Sequence, residues 1–405
     1  MNILYIVPRF PATSETFVAE EIIGVRARGH SITVVALAKP KFEQISQMGS
    51  RLSALINETT YLPRIPLVPL AAVKAAMKAD VRVLNRRLSQ ETSIKTHAIL
   101  RLLRAAAVAR IARRVGAELI YAHWPRPTEV ALLVGKITSL PVAISVHAHE
   151  VAHDNGHFPA VFEQVCFAAF CNAAAMDYLL KRLHQDASNK AHLIYHGVDF
   201  EQFAQTALPP LSDTLKIVTA GRLTPTKGID RLIRAISFAR DRDVAVSLTV
   251  IGDGNQRKEL ESLTTNLNLS KQVRFLGWIR HEEMPEQLRA AHVFAIMAND
   301  NFHDGLPNVV LEAMSIGRPV IISPLPAASE AVSHGENGYI LTRVDALDEF
   351  VNCCAGLIQS PERLISWSRV ASETVRIQHD RAMQLDRLCN LFTQMRTTQN
   401  DNRYE

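Results

Sequence analysis

Four side chains in the second half of the chain have the types and spacing to hold a phosphorylated, hydroxylated ligand. Arg222 and Lys227 lie five apart in GRLTPTKG (221–228), a loop that runs into a helical pattern over 229–240. Arginine offers a planar fork to phosphate oxygens, and lysine a point charge on a flexible stem. Around a loop that opens a helix, the two can hold two phosphates against the helix's positive end. Asp304 and Glu312 form the second pair, within NDNFHDGLPNVVLEAMSIGRPVIIS (299–323). Glu312 follows Asp304 by eight residues, a little over two helical turns. A loop acid and a helix acid then approach one ligand from neighbouring positions. Pro307 suits a first helical turn, where a missing N–H costs nothing. The free amides of that turn and the helix's positive end face whatever the loop holds and favour an anion. The plain alternative is an ordinary connection with solvated charges, so the case depends on the rest of the chain.

In the first half the candidates are histidines at strand ends. ELIYA (118–122) reads as a strand ending at His123-Trp124, and PVAISV (141–146) as one ending at His147-Ala148-His149-Glu150. Ligands of open α/β sheets bind at the carboxyl ends of strands. His149-Glu150-Val151-Ala152-His153 also matches the H-E-x-x-H zinc signature. That chemistry needs both histidines on one helix face and a third ligand. Here the motif begins two residues past a strand and Asn155-Gly156 soon breaks it, so a zinc hydrolase stands as the weaker alternative. In the loop PRFPATSET (8–16), Ser14, Glu15 and Thr16 are placed to touch a ligand, though capping the next helix is their plainer role. No Walker loop is present, and Gly252-Asp253-Gly254 lacks the third glycine of a dinucleotide fingerprint. Asp241-Arg242-Asp243 sits at the amino end of a strand, the wrong sheet edge for a metal–diphosphate site, and reads as surface.

The elements that must position these groups alternate strand and helix through both halves. Strands are expected at 3–7, 31–37, 118–122, 141–146, 192–195, 215–220, 246–252, 273–276 and 319–322. Helices are expected at 17–28, 166–183 and 229–240, and from 361 onward. With 405 residues, the length points to two domains. A linker with Pro209-Pro210 sets the expected division at 1–205 and 206–385, with a helical tail, 386–405, packing back toward the first domain. Composition is that of a globular protein, 47% hydrophobic and 21% charged. A net charge of +5 is too mild to argue for nucleic acid. Five cysteines without C-x-x-C spacing fit a reducing cytosol. The first residues carry no basic region and read as a strand and not as a signal peptide. Residues 64–114 hold twelve lysines and arginines against Asp80 and Glu91. Val73, Met77, Val81 and Leu84 interleave them, which predicts an amphipathic face for an anionic membrane surface.

Two such halves make two Rossmann-like domains, and at this point the motifs resemble a known family. GRLTPTKGID (221–230) and DGLPNVVLEAMSIGRPV (304–320), supported by IYHGVD (194–199) and LGWIRHEEMPEQL (276–288), are similar to those of retaining glycosyltransferases of family 4. FPATSETFVAEEI and SVHAHE look like members that build bacterial exopolysaccharide and lipopolysaccharide. The resemblance implies a GT-B fold, two domains facing a central cleft. It implies a nucleotide-sugar donor, UDP- or GDP-linked, and a glycan or lipid-linked acceptor. It implies no cofactor, no essential metal and no separate protein nucleophile. Arg222 and Lys227 would hold the donor diphosphate beside Gly221, and Glu312 the ribose hydroxyls. Asp304, with Gly305, Leu306, Pro307 and Asn308, would contact the donor sugar, and His147 would sit near the reacting centre. Ser14, Glu15, Thr16, His123, His149 and Glu150 remain acceptor-side candidates. Two departures stand out: the family usually has glutamate at Asp304, and the first loop lacks a glycine pair. A sugar-nucleotide epimerase of the same fold is the second enzyme reading.

Overall fold

The computed structural model describes residues 1–12, 15–40, 50–91, 98–148, 151, 158–183, 187–299 and 305–401. They form two compact units, one of residues 1–195 with 382–405 and one of residues 196–381.

The first unit is built on a seven-stranded parallel sheet. Its strands are β1 (Asn2–Arg9), β2 (Ser31–Ala38), β3 (Thr59–Tyr61), β4 (Leu119–His123), β5 (Val142–Val146), β6 (Phe167–Phe170) and β7 (Ala191–Leu193), in the order β3-β2-β1-β4-β5-β6-β7. Helices cover both faces: α1 (Thr16–Ala27), α2 (Ser50–Glu58), α3 (Leu70–Ala76), α4 (Ala79–Glu91), α5 (Ala98–Arg114), α6 (Pro125–Thr138), α7 (Phe158–Gln164) and α8 (Ala173–Leu180). Leu4 and Ile6 of β1 enter one core while Ile3, Tyr5 and Val7 enter the other. That explains the unbroken apolar run of β1, since a strand covered on both faces has no polar side.

One expectation fails here. Residues 166–183 are not one helix, because Phe167–Phe170 is a buried strand parallel to β5 and only Ala173–Leu180 is helical. A four-residue apolar run carries no period that separates strand from helix. The usable signal is Asn172, whose side chain accepts from the Ala175 N–H at 2.7 Å and fixes the helix start.

The second unit repeats the plan with β8 (Leu215–Ala220), β9 (Val246–Ile251), β10 (Val273–Gly277), β11 (Val293–Ile296), β12 (Val320–Ile322) and β13 (Gly338–Ile340). All pair in parallel, in the order β10-β9-β8-β11-β12-β13. Its helices are α9 (Ile229–Arg240), α10 (Arg257–Asn266), α11 (Met284–Arg289), α12 (Asn308–Ser315), α13 (Leu347–Gln359) and α14 (Pro361–Gln378). The chain then returns to the first unit as α15 (Arg381–Asp401), whose Leu385, Leu388, Cys389, Leu391 and Phe392 are buried in the core of Ile3, Tyr5 and Val7.

The boundary lies at 195/196, ahead of the 205/206 position set by the prolines. Val198 donates its N–H to His379 O at 2.8 Å, and Phe203 is wholly buried among second-unit residues. Ser315 Oγ donates to Phe203 O at 2.7 Å. These contacts fasten residues 196–205 to the second sheet's helices.

The turn after α12 is locked by Arg318, which is fully buried. Its guanidinium meets carbonyl oxygens of Thr206, Ala207, Leu288, Arg289 and Ile316, at 3.0 to 3.3 Å. Burial pushes it down to about 10. A buried cation held by carbonyls leaves each of them unsatisfied if it is removed. Arg318 therefore fixes the lead-out of the helix that carries Glu312.

Candidate functional site

In the second sheet the strand order reverses between β8 and β11, and ligands of open α/β sheets bind at that reversal, beyond the carboxyl ends. Gly221 to Gly228 leaves β8 there, with a 3-10 turn at Pro225–Lys227. The loop is closed by Thr224 N–H to Arg222 O (2.9 Å) and Lys227 N–H to Thr224 O (3.0 Å). It is tied to β11's exit by Asn299 N–H donating to Thr226 O at 2.9 Å. Two glycines make this packing feasible. Gly228 has φ +62°, and a Cβ there would stand 1.8 Å from Met297 O. Gly252, in the loop after β9, has φ +123°, and a Cβ there would stand 2.0 Å from Gly221 O. Left-handed backbone and backbone-to-backbone contact both demand glycine.

Lys227's stem carbons lie 3.8 Å from where a Gly221 Cβ would be, so the lysine curls back over the loop's start. Arg222 is exposed and makes no side-chain hydrogen bond or ion pair among the described residues. The sequence missed Arg231, in the first turn of α9. Its Nη1 donates to Met297 O at 2.8 Å and its Nη2 to Asn299 Oδ1 at 2.5 Å. Arg231 thus positions the chain just past β11.

α12 begins at Asn308 with Pro307 as the residue before it, one position earlier than the expected first turn. Gly305 to Asn308 are half-buried. Glu312, one turn in, is buried at 8% exposure. Its Oε1 lies 3.0 Å from Nε2 of His281, a residue the sequence did not mark. His281 opens the short 3-10 turn after β10, and its ring packs on Phe203 with centroids 5.4 Å apart. Gln202 Nε2 approaches both His281 O (3.3 Å) and Nδ1 (3.4 Å). An amide nitrogen can only donate. That makes Nδ1 the acceptor and leaves the ring proton on Nε2, aimed at Glu312. The second Glu312 oxygen makes no hydrogen bond among the described residues.

In the first unit, β4 and β5 are neighbours, so the residues after them share the carboxyl edge. His147 follows β5 and is 8% exposed. Its ring stacks on Trp124 (centroids 4.9 Å, planes 20° apart) and lies against Phe17 (5.3 Å) and His123 (5.7 Å). Trp124 has φ 67° and ψ 157°, a region that costs a non-glycine residue about 1–3 kcal/mol. Its carbonyl accepts from the Thr128 N–H (3.1 Å) and Oγ1 (2.9 Å), which hold it there. His123 is wholly buried with Nε2 3.2 Å from Glu21 Oε1. It supports Trp124 and His147 and presents no surface of its own, contrary to its place among acceptor-side candidates. Beneath it, Tyr5 and Tyr121 are buried, and burial first, then the Glu21 carboxylate, holds both phenols well above their usual range. The edge is therefore an aromatic bed with one carboxylate below it.

Glu15 precedes α1, but its side chain makes no capping hydrogen bond, and Thr16 is the first helical residue. Of the membrane-face residues, Val81 and Leu84 are buried in the core, so α4 turns that side inward. Asp241, Arg242 and Asp243 are exposed at the amino end of β9, as surface. Asp304, Ser14, His149, Glu150 and the histidine of the zinc signature at 153 lie outside the described residues.

Residues 201–372 match the sequence family described as glycosyl transferases group 1. Amylovoran biosynthesis glycosyltransferase AmsK of Erwinia amylovora is 23% identical over 372 residues, spanning 85% of this chain and 88% of its own. A GDP-mannose-dependent alpha-(1-6)-phosphatidylinositol monomannoside mannosyltransferase of Mycolicibacterium smegmatis is 27% identical over 359 residues, 85% of either chain. The crystal structure of Anabaena Alr3699/HepE with UDP superposes with a TM-score of 0.72, at 19% identity, over 97% of this chain and all of the other. The fold is GT-B. The second unit carries a group 1 glycosyltransferase domain, and the chain is a glycosyltransferase.

Proposed function

We propose that the chain moves a sugar, with retention, from a nucleotide-sugar donor to a glycan or lipid-linked acceptor in the assembly of bacterial cell-surface polysaccharide. The observation that carries this reading is the β8–β11 reversal. There an exposed Arg222 and a folded-back Lys227 flank backbone that only glycine permits, with the His281-held carboxylate of Glu312 on the helix that follows β11. The relatives support it: HepE was crystallised with UDP, and the mycolicibacterial enzyme is named for GDP-mannose.

In this reading Arg222 and Lys227 bind the diphosphate and gain interaction energy as the glycosidic bond breaks and its electron pair moves onto the departing phosphate oxygen. Help that grows toward the transition state accelerates the step and does more than bind. Glu312 takes the ribose hydroxyls through its second oxygen. Asp304 and the amides of Gly305, Leu306 and Asn308 take the sugar. On the first unit, His147 and the surface around Trp124 are the candidate groups for the transferred sugar and the acceptor. The place of action in this reading is the cytoplasmic face of the membrane that carries lipid-linked acceptors; no described helix is long and apolar enough to cross a bilayer.

A thermal-shift panel of UDP-, GDP-, ADP- and dTDP-sugars, with and without chelator, tests the reading. Ligands that bind the folded state raise its melting temperature by mass action. The expected result is a shift for one nucleotide series, unaffected by chelator and lost in Lys227→Ala and Glu312→Ala. Lys227→Ala should also lower transfer by about a hundredfold or more. Unchanged transfer in both variants would overturn the assignment, and an isomerised sugar formed from donor alone would mark an epimerase instead.

A further inference from the structure

The described residues expose large apolar side chains at few places, and four of these fall in one short stretch. Ile65, Leu67, Leu70 and Met77 are 66%, 94%, 70% and 47% exposed. Ile65 and Leu67 stand in the lead-in to α3. Leu70 and Met77 stand at its two ends with Lys74 between them. Spacings of four and three residues put Leu70, Lys74 and Met77 on one helical face. The opposite side of α3 carries Ala72 and Ala76, both buried in the core with Ala105 and Ala109 of α5. The helix is thus fixed by its small residues and turns its large ones outward.

The lead-in is stiff for a reason visible in the sequence. Pro63, Pro66 and Pro69 recur every third residue, and each fixes φ near −65° and removes a donor. Pro69 has φ −61° and ψ 152°. Holding Ile65 and Leu67 outward then costs little conformational entropy.

The charge around these residues has one sign. Arg64, Lys74 and Lys78 are exposed, and no acid occurs between Glu58 and Asp80. We infer that residues 63–78 dock on an anionic phospholipid bilayer. Leu67, Leu70 and Met77 enter the headgroup–acyl boundary while Arg64, Lys74 and Lys78 meet the lipid phosphates. Other occupants fit less well. A two-fold contact with a second copy sets the same cations against one another. Single-stranded nucleic acid needs stacking platforms, and residues 62–78 contain no aromatic side chain. The surface differs from the one the sequence pointed to, because Val81 and Leu84 are buried and the outward residues lie on the proline segment and α3.

This inference deepens the peripheral-membrane part of the proposed function and rests on it, though not on the transfer chemistry. The test is co-sedimentation of the full chain with phosphatidylcholine vesicles and with vesicles holding about a third phosphatidylglycerol, at low and high salt. Binding should favour the anionic vesicles and weaken with salt. Leu67→Glu/Leu70→Glu should lower it about tenfold or more. Lys74→Glu/Lys78→Glu should lower it and flatten its salt dependence. Ile365→Glu, an equally exposed apolar position in the second unit, should change nothing. Equal binding to neutral and anionic vesicles, or wild-type binding by Leu67→Glu/Leu70→Glu, overturns the inference. Nucleotide-sugar thermal shifts on the same samples separate the two readings. Lost vesicle binding with the shift intact sinks the surface alone, and vesicle binding with no shift sinks the donor site alone.

Discussion

Glu312 owes its orientation to His281, and His281 owes its tautomer to Gln202. The 3.0 Å contact leaves one carboxylate oxygen for a ligand and anchors the other. Removing the imidazole frees Glu312 to rotate and lets water compete for it, so the cost falls on donor binding. His281→Ala should raise KM for the donor about tenfold while kcat changes little. His281→Gln, whose amide can place an N–H near the lost Nε2–H, should recover part of that loss. Steady-state kinetics over donor concentration checks both, and a kcat loss equal to the kcat/KM loss would contradict a positioning role. The sequence marks Arg222, Lys227 and Glu312 because each sits in a loop or helix start whose chemistry is local. It does not mark His281, which stands 31 residues before Glu312 and sits among Arg280, Glu282 and Glu283 in what reads as an ordinary charged surface turn. The same holds for the His123–Glu21 pair, separated by 102 residues and joined by folding alone.

The loop from Gly221 to Gly228 works as a single element, pressed against the exits of β9 and β11. Gly228→Ala adds a methyl 1.8 Å from a backbone carbonyl at a left-handed residue. Nothing flexible is available to move, so the loop or strand β11 must shift. A cost of about 2–4 kcal/mol is expected from overpacking and backbone strain. Gly228→Ala should lower the melting temperature by several degrees and remove the nucleotide-dependent shift. Retention of that shift would show that the loop tolerates displacement. At this scale most strands were legible, because doubly covered strands read as apolar runs bounded by turn residues. β6 was not legible, since its four residues run on into the apolar start of α8. The division between units was misplaced because Pro209-Pro210 looks like a linker, whereas Phe203 and Val198 had already joined the second core.

Across the molecule, several histidines are built to stay neutral. His292 is wholly buried at the start of β11. Its Nδ1 accepts from the Lys216 N–H at 2.9 Å, and its Nε2–H donates to Pro209 O at 3.2 Å. A proton on Nδ1 would break the first of these bonds. Burial, before any other influence, lowers His292 and His379 below the ordinary 6.5. The unfolded chain then binds protons that the folded chain refuses. Stability from these residues is complete above about pH 7 and is lost as pH falls below about 6.5. The melting temperature should drop between pH 7.5 and 5.5, and His292→Gln should show a smaller drop. An unchanged slope would remove His292 from the account. The feature with the widest reach is α15, which closes the core of the first unit with residues from beyond the second. On the ribosome, the second unit is contiguous and can finish as soon as residue 381 emerges. The first unit, begun earlier, waits with Tyr5, Ile22 and Phe167 partly uncovered until the last helix is made. The half translated first is therefore the half completed last, and its apolar core is the one left open to aggregation for longest.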